Sequence, residues 1–332
     1  MPVRWFGATA APALDFAQRQ WAGVRSGEPS HLGYVERPAL LAALADELRK
    51  GDVDVVHAFG WGTAALWRHT GGVPVVHVAV DAWHRNHGNR MLPWWRRATD
   101  LGERTRIRKH EQRHYPHDDV VVVVADRDAD ALRALVPSAR IEVVPNGVEA
   151  GCDPAPLPEA PVIGFHGSFD TQHNVDAARV LVRQVLPRVR NVVPDASVLL
   201  VGRHPGRAVH ELVGAQVELR ADVPDVAAEL SRVTVYAAPL VSGWGIKNKV
   251  LEAMAAGRPV VTTPAGASGI GSGSGLVEAP DPGAVADAVI ALLLDRERLA
   301  AEGVQARLRV QRDFTWEAGA ARIEALWQDA AR

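Results

Sequence analysis

The sequence predicts an α/β protein with two domains, each built on a parallel sheet covered by helices. Its 332 residues exceed the size at which one hydrophobic core usually stops growing, so two domains are expected. Short apolar runs rich in β-branched residues alternate with helical patterns, which is typical of parallel strands joined by crossover helices. A proline-rich stretch at residues 154–161 has no apolar periodicity and therefore predicts a linker between the domains.

The first series of strands and helices precedes the linker. The run of valines at residues 120–124 is continuous rather than alternating, as expected for a strand that is buried on both faces. We predict strands at residues 3–6, 53–58, 74–80, 120–125 and 141–144, and helices near residues 13–22, 38–50, 63–69, 93–114 and 129–135.

The second series follows the linker and repeats the same architecture. We predict strands at residues 162–166, 197–202, 217–219, 234–238 and 259–263, with helices between them and a helical tail from Pro282. Because the ligands of open parallel sheets bind at the carboxyl ends of the strands, the residues just after each strand are the informative ones.

The composition limits the class of protein. With 47% hydrophobic residues and a formal charge of −2, the chain is neither disordered nor suited to nucleic acid. Its single cysteine, Cys152, excludes an internal disulfide and fits a reducing cytoplasm. No apolar run approaches the ~20 residues of a membrane span, and the N-terminus lacks a signal-peptide pattern. We expect a soluble cytoplasmic protein, and the Ala- and Arg-rich, Lys-poor composition suggests a bacterial source.

The most informative segment runs from Ala238 to Thr263 and joins a strand end, a glycine turn and the start of a helix. Gly243 and Gly245 allow the backbone to approach a ligand closely, and the free N–H groups of the following helix suit a phosphate. Lys247 and Lys249 add positive charge at the same place. Glu252, about one and a half turns into the helix, can accept hydrogen bonds from the hydroxyls of a ribose. Together these features predict a nucleotide ligand.

This segment resembles the donor-site signature of retaining nucleotide-sugar glycosyltransferases of family 4, which have the two-domain GT-B architecture. Three other segments are similar to the same family: residues 143–149 (VVPNGVE), residues 164–168 (GFHGS) and residues 314–317 (FTWE). The resemblance implies a GT-B fold with two Rossmann-like domains whose sheets face each other across a cleft. It covers the chain from Val143 onward and is loose before that residue.

The resemblance also implies that the two domains bind different substrates. Residues 1–150 would form an acceptor-binding domain, residues 160–312 a nucleotide-sugar-binding domain, and residues 313–332 a helix that packs back towards the first domain. Two of the residues predicted to bind the donor also have an ordinary structural explanation. Gly167 could simply form a tight turn, and the side chain of Arg203 could simply be solvated. The predicted donor-site residues are Gly167, Ser168, Arg203, Gly243, Trp244, Gly245, Ile246, Lys247, Asn248, Lys249 and Glu252.

Two positions depart from the family pattern. Many members carry a carboxylate eight residues before the helix glutamate, and Trp244 occupies that position here. The indole either packs against a less polar sugar or is only a packing residue. Ser168 and His173 occupy the positions of the usual basic pair. Neutralisation of the diphosphate should therefore fall on the two lysines and on Arg203.

In the first domain, the resemblance places acceptor and reaction-centre contacts in the segments that contain His57 and Asp81. We name both as catalytic candidates. The predicted acceptor-side residues are Thr9, Asp81, Trp83 and His84. A lone histidine after a strand is also common as a purely structural residue.

Residues 93–113 combine seven basic residues, three acidic residues and paired tryptophans, which gives a local charge of +4. Such a segment could contact an anionic membrane surface weakly. A solvated helix with internal ion pairs would have the same composition, and we favour that reading because the apolar face is thin.

The sequence therefore predicts a retaining glycosyltransferase that moves a sugar from a nucleoside diphosphate sugar to a small-molecule or glycan acceptor. Lys247 would stabilise the departing diphosphate as a catalytic group. No metal and no cofactor are expected, because no metal-ligand spacing is visible. A sugar-nucleotide epimerase or hydrolase and a noncatalytic nucleotide-sugar-binding partner remain as alternatives. A dinucleotide-dependent oxidoreductase is disfavoured, because no Gly-x-Gly-x-x-Gly turn follows the first strand.

Overall fold

The computed structural model of the protein describes residues 29, 38–86, 94–149, 155–243 and 245–332. The predicted strand at residues 3–6, the predicted helix at 13–22, Thr9, Cys152 and Trp244 lie outside the described residues. The chain divides into two compact units. The first consists of Met1–Val144 together with Ala321–Arg332, and the second consists of Pro145–Ala320.

The first unit contains a four-stranded parallel sheet in the order β1-β2-β3-β4. The strands are β1 (Val56–Phe59), β2 (Val75–Val80), β3 (Val120–Val123) and β4 (Ile141–Val143). The helices of this unit are Pro38–Leu48, Trp83–Asn86, Trp94–His114 and Asp126–Leu135.

The predicted helix at residues 63–69 is wrong, because this stretch forms short 3₁₀ turns. They are Trp61–Thr63 and Leu66–His69, and a third 3₁₀ turn, Tyr115–His117, follows the long helix. Thr63 N–H donates to the carbonyl of Gly60 at 3.0 Å, three residues back. Such pieces are too short to repay the cost of nucleating an α-helix.

Both faces of β3 are buried, as its run of valines predicts. Val121 and Val123 pack on one side in a cluster with Leu132 of the helix Asp126–Leu135. Val120 and Val122 pack on the other side, where Leu326 belongs to the same cluster. Successive side chains of a strand point to opposite faces, so a strand covered on both sides must be apolar throughout. The C-terminal residues thus form part of the core of the first unit.

The second unit contains a six-stranded parallel sheet in the order β10-β9-β8-β5-β6-β7. Its strands are β5 (Val162–Ser168), β6 (Ser197–Arg203), β7 (Val217–Ala221), β8 (Val235–Ala238), β9 (Val260–Thr262) and β10 (Leu276–Glu278). The sequence did not predict β10, because it has only three residues and follows the glycine-rich stretch 269–275.

Helices connect these strands and form the C-terminal part of the chain. They are Gln172–Val180, which continues through the π-helical turn Leu181–Val185 into Leu186–Arg190, then Arg207–His210, Val226–Leu230, Asn248–Ala255, Pro282–Leu294, Arg296–Asp313 and Trp316–Ala330.

The strand order reverses between β5 and β8, since β6 and β7 lie on one side of this pair and β9 and β10 on the other. Open α/β sheets bind ligands at such a reversal. The ladder between β5 and β8 consists of two pairs, Ile163 with Val235 and Gly164 with Tyr236. Because β5 continues to Ser168, the two strands are no longer paired at their carboxyl ends. The fold therefore opens a crevice at this point of the second unit.

The described part of the proline-rich stretch is attached to the second unit. Arg258 is 1% exposed and donates to the carbonyl oxygens of Val233, at 3.0 Å, and of Ala155. Arg296 donates to the carbonyl of Pro158 at 2.8 Å. A buried guanidinium needs such partners, and here they fix the entry of the chain into β5.

Candidate functional site

The candidate site lies at the carboxyl ends of β5 and β8 in the second unit. Gly167 and Ser168 end β5, and residues 239–247 lead from β8 into the helix Asn248–Ala255. A Cβ at Gly167 would lie 2.9 Å from the Nζ of Lys249 and 2.9 Å from the Nδ2 of Asn174. The fold therefore places Lys249 directly against the end of β5, and it brings together two segments that the sequence predicted to share a ligand.

Lys249 is held inside the site by neighbouring side chains. Its Nζ donates to the Oδ1 of Asn174 and lies 5.2 Å from the ring centroid of Phe165. Asn174 in turn donates to the carbonyl of Ser168 at 2.7 Å. Burial, followed by the charge of Lys247, lowers the pKa of Lys249 to about 8. A half-buried ammonium group beside a second cation provides a strong electrostatic attraction for an anionic ligand.

Lys247 immediately precedes the helix and occupies its N-cap position, and its own side chain makes no cap hydrogen bond to the first turn. Its Nζ lies 3.4 Å from the carbonyl oxygen of Gly245. Gly243 has a φ of 137°, and a Cβ there would lie 2.8 Å from the Nζ of Lys247. The glycine turn thus accommodates the lysine at the positive end of the helix dipole, which favours anions.

Glu252 projects from the second turn of the same helix towards β5. Its Oε2 accepts a hydrogen bond from the Nε2 of His166 at 2.7 Å, and its side chain is 42% exposed. That hydrogen bond lowers the pKa of Glu252, although burial opposes the effect. The group is therefore an ionised acceptor with part of its carboxylate open to a ligand.

His173 lies in the first turn of the helix Gln172–Val180. Burial, followed by the charges of Lys249 and Lys247, lowers its pKa to about 4. At neutral pH the imidazole is therefore uncharged, and the two lysines carry the positive charge of this region. His173 and Asn174 were not among the predicted site residues, although the family pattern drew attention to position 173.

The start of the helix is also tied to the segment 143–149 that resembles the family. Asn146 donates through its Nδ2 to the Oδ1 of Asn248 at 3.0 Å. Val148 N–H donates to the carbonyl of Phe314 at 2.9 Å, and a Cβ at Gly147 would lie 2.4 Å from the backbone nitrogen of Trp316. The family-like segments around residues 146, 248 and 314 therefore contact one another within the second unit.

The remaining donor-site candidates have different settings. Ile246 and Gly245 are buried. Arg203 ends β6 with an exposed side chain, and its carbonyl accepts from the N–H of Phe169 at 2.9 Å. The role of Arg203 in ligand binding stays a prediction. Trp244 lies outside the described residues.

His57 of the first unit lies within β1 (Val56–Phe59), as it does within the predicted strand at residues 53–58. Its Nδ1 accepts from the Nε1 of Trp327 at 2.9 Å, and the two rings meet edge to face. Burial, followed by His77, lowers the pKa of His57. The side chain thus takes part in the packing of the C-terminal helix against the sheet.

Asp81 directly follows β2, at the carboxyl end of that strand. Val80 before it has a φ of 75°, a conformation that β-branched residues rarely adopt. The ladder with β3 also shifts register between Val78 and Val80. Asp81 is therefore placed where a strand-end functional group is expected, although its role stays a prediction.

Trp83 and His84 are both engaged within the first unit. Trp83 is 4% exposed and stacks on Trp61 at a centroid distance of 3.8 Å. His84 Nδ1 lies 2.6 Å from the Oε2 of Glu111, which is fully buried. These contacts orient both rings towards the interior of the unit, and an acceptor-side role for them stays a prediction.

The helix Trp94–His114 separates its charges by face. Glu103 and Glu111 are buried, whereas Arg104, Arg108 and Lys109 are exposed. This arrangement is compatible with a solvated helix, and contact with a membrane surface stays a prediction. Within the described ranges, no helix is long and apolar enough to cross a membrane. Across those same residues, no group of three or more His, Cys, Asp or Glu is arranged to hold a metal ion.

Comparison with known protein families agrees with the geometry of both units. The family described as Glycosyltransferase Family 4 matches residues 2–151, and the family described as Glycosyl transferases group 1 matches residues 160–295. The two matches are consecutive, and together they cover most of the chain.

Two curated bacterial relatives are similar to this chain. One is a phosphatidyl-myo-inositol mannosyltransferase of Mycobacterium leprae, 31% identical over 206 residues, which are 57% of this chain and 53% of the relative. The other is a D-inositol 3-phosphate glycosyltransferase of Corynebacterium diphtheriae, 28% identical over 321 residues, which are 84% of this chain and 71% of the relative. The matched region thus spans about half the length of the mannosyltransferase.

Solved structures share the fold at low sequence identity. A sucrose-phosphate synthase from Thermosynechococcus elongatus has a TM-score of 0.69 at 19% identity, covering 88% of this chain and 77% of that one. HepE of Anabaena in complex with UDP has a TM-score of 0.66 at 15% identity, covering 90% and 84%. From the two family matches and this likeness, we conclude that the chain belongs to the family 4 glycosyltransferases and has their two-domain, Rossmann-like GT-B fold.

Proposed function

We propose that this protein is a retaining glycosyltransferase that moves a sugar from a nucleoside diphosphate sugar to a small-molecule or glycan acceptor. The observation that carries the proposal is the convergence of Lys247, Lys249 and Glu252 where the strand order of the second unit reverses. The two cations lie at the start of this helix and match the diphosphate of a nucleoside diphosphate. The ionised carboxylate lies on the same helix and matches the hydroxyls of the ribose.

The lysines serve the diphosphate in this proposal. Burial lowers the pKa of Lys249, so the amine is partly uncharged when no ligand is bound. An anion that binds beside it therefore gains more binding free energy than it would beside an exposed lysine. Lys247 and the N–H groups of the helix Asn248–Ala255 add donors at the point where charge develops on the leaving group. Stabilisation of a departing anion by fixed donors is electrostatic catalysis, and it needs no strong protein base.

Glu252 serves the ribose. The carboxylate is ionised, and its pKa is held down by the hydrogen bond from His166. An ionised carboxylate only accepts hydrogen bonds, so it suits the neutral hydroxyls of a sugar and repels a phosphate. The lysines and the glutamate would thus orient the nucleotide along one direction.

The proposal also specifies the anomeric configuration of the product and the class of acceptor. Retention of anomeric configuration follows the family, and attack assisted by the leaving phosphate would require neither a metal nor a cofactor. Asp81 is the strand-end candidate of the first unit for the acceptor side. The names of the curated relatives make phosphatidyl-myo-inositol and D-inositol 3-phosphate the first acceptors to examine.

The test is a reaction of the purified chain with candidate sugar nucleotides, followed by proton NMR of the anomeric signals, with and without an acceptor panel. Transfer that keeps the α-configuration of an α-linked donor supports the proposal, and inversion contradicts retention. The Lys247→Ala variant should lose transfer while keeping its fold. Lys109, an exposed lysine of the first unit, offers a matched control as Lys109→Ala.

The same reaction separates the alternatives. A sugar-nucleotide epimerase or hydrolase would convert the donor without an acceptor. A noncatalytic partner would bind the donor and turn over none of it. The glycosyltransferase proposal fails if donor consumption is independent of every acceptor, or if the donor is bound and never consumed.

A further inference from the structure

We infer that His166 is a positioning residue that fixes the Glu252 carboxylate for recognition of the nucleotide ribose, and thereby sets selection for ribose over 2′-deoxyribose. The inference rests on the proposed nucleotide site and adds a residue and a specificity to it. His166 lies on β5, two residues beyond Gly164, the last residue of β5 paired with β8.

The place of His166 in the fold makes it a bridge across the opening between the two strands. Its backbone N–H lies 3.3 Å from the hydroxyl of Tyr236 on β8, in place of a ladder bond to that strand. Its ring meets the ring of Tyr236 edge to face at 5.4 Å. Its Nε2 reaches Glu252 on the helix that follows β8. One residue of β5 is thus anchored to both elements on the other side of the crevice.

The hydrogen bonds of the ring determine its tautomer. Nε2 lies 2.7 Å from a carboxylate oxygen, so it must carry the proton and donate. Nδ1 is buried and has no hydrogen-bond partner among the described residues. The opposite tautomer would bury an unpaired N–H at Nδ1 and turn a lone pair towards the carboxylate, both of which are unfavourable. Glu252 is the charged group that the ring contacts, and the Glu252 carboxylate in turn interacts with the charge of Lys249.

The ring itself is not available to a ligand. Its side chain is 6% exposed, whereas that of Glu252 is 42% exposed. His166 therefore acts through Glu252 by occupying Oε2 and leaving the remaining acceptor sites of the carboxylate for hydroxyl groups. A carboxylate held at one oxygen has fewer orientations to lose when it binds, which favours a ligand with a matching pair of hydroxyls.

A matched pair of substitutions tests this role. The amide of Gln can place its donor near the position of the histidine Nε2, so His166→Gln should keep the hydrogen bond to Glu252. The amide of Asn reaches only to the position of Nδ1, so His166→Asn should lose it. The full chain and both variants, with Glu252→Ala as reference, are titrated calorimetrically with UDP, GDP and their 2′-deoxy counterparts at pH 7.

For the wild type and His166→Gln we expect the nucleotide that binds to be preferred over its 2′-deoxy form by roughly tenfold to a hundredfold, as for a hydrogen bond to a charged group. In His166→Asn and Glu252→Ala the ratio should fall towards one. The inference is overturned if folded His166→Asn prefers the ribonucleotide over its 2′-deoxy form as strongly as the wild type does, while Glu252→Ala shows no such preference. A wild-type ratio in Glu252→Ala instead contradicts the assignment of Glu252 in the proposed function.

A second measurement reads the histidine rings of the wild-type protein and uses a variant only to assign one signal. Nitrogen-15 NMR of the wild-type histidine rings, with the His166 signals assigned through His166→Gln, reports which ring nitrogen carries the proton. We expect a protonated Nε2 and an unprotonated Nδ1. A proton on Nδ1 with a bare Nε2 would contradict the proposed hydrogen bond and therefore the positioning role.

Discussion

Raising the pH from 7 to 9 should weaken the binding of a nucleoside diphosphate about tenfold, because it removes the charge of Lys249. Burial, and next the charge of Lys247, lower the pKa of Lys249 to about 8. The amine is then about 90% protonated at pH 7 and about 10% protonated at pH 9. A bound diphosphate favours the charged form and restores a higher pKa. The loss over this range corresponds to about 1.4 kcal/mol of binding free energy.

His173, Glu252 and the nucleotide phosphate do not contribute to this pH dependence. Burial and the neighbouring lysines lower the pKa of His173 to about 4, so its imidazole is neutral at both pH values. The terminal phosphate of the nucleotide has a second pKa of about 6 and is fully ionised above pH 7. The pKa of Glu252 is lowered, so its carboxylate stays ionised.

The assay is isothermal titration calorimetry with the nucleoside diphosphate at pH 7, 8 and 9, in two buffers of different ionisation enthalpy. At pH 8 the wild type should take up about half a proton on binding, which is the fraction of Lys249 that is unprotonated before binding. Lys249→Arg is the control, because a guanidinium stays charged throughout this range. Equal pH dependence in the wild type and in Lys249→Arg would refute the reasoning, as would an affinity that stays constant from pH 7 to 9.

Three further predictions follow from the structure. Lys247→Ala and Glu252→Ala should each weaken nucleoside diphosphate binding by roughly 1.5–3 kcal/mol in calorimetry, with unchanged circular dichroism, because each removes hydrogen bonds to a charged group. Lys249→Met should stabilise the unliganded protein by about 1–3 kcal/mol in urea unfolding at pH 7. The pKa of Lys249 is lower in the folded than in the unfolded protein, so the charged amine reduces stability below pH 8. The gain from Lys249→Met should therefore fade as the pH rises towards 10.5. Arg258→Met should destabilise the protein by about 2–5 kcal/mol in the same assay, because it removes a buried donor from the carbonyls of Val233, Ala155 and Ala256, the first of which is buried. Unfolding at wild-type urea concentrations would contradict this role.

The strands were predictable from sequence because each is a short apolar run that obeys a local rule. The valines at 120–124 show the pattern of a strand buried on both faces, and β3 has that environment. The start of the helix at Asn248 was equally visible, since the turn glycines and lysines lie next to it in the chain. Local composition was not informative for β10, whose three residues depend on pairing with β9.

The partners of the site residues could not be predicted, because they are distant in sequence. His166 and Glu252 are separated by 86 residues, and Asn174 and Lys249 by 75. A buried histidine in a strand has many possible partners, and a single sequence does not select among them. His57 illustrates the same limit, since its contact with Trp327 joins the two chain segments that make up the first unit. The sequence therefore predicted which segments form the candidate site, whereas the fold supplied the contacts that set the electrostatics of those segments.

A thermal-shift panel of UDP, GDP, ADP, CDP and dTDP at pH 7, on the wild type and on Lys247→Ala, tests the central claim most directly. A ligand that binds only the folded state raises its stability by mass action, by about 2.7 kcal/mol at one hundred times the dissociation constant. The proposed donor site predicts that at least one nucleotide raises the melting temperature of the wild type with increasing concentration, and does so much less in Lys247→Ala. No shift with any nucleotide, or an equal shift in both proteins, would contradict a diphosphate site at the start of the helix Asn248–Ala255.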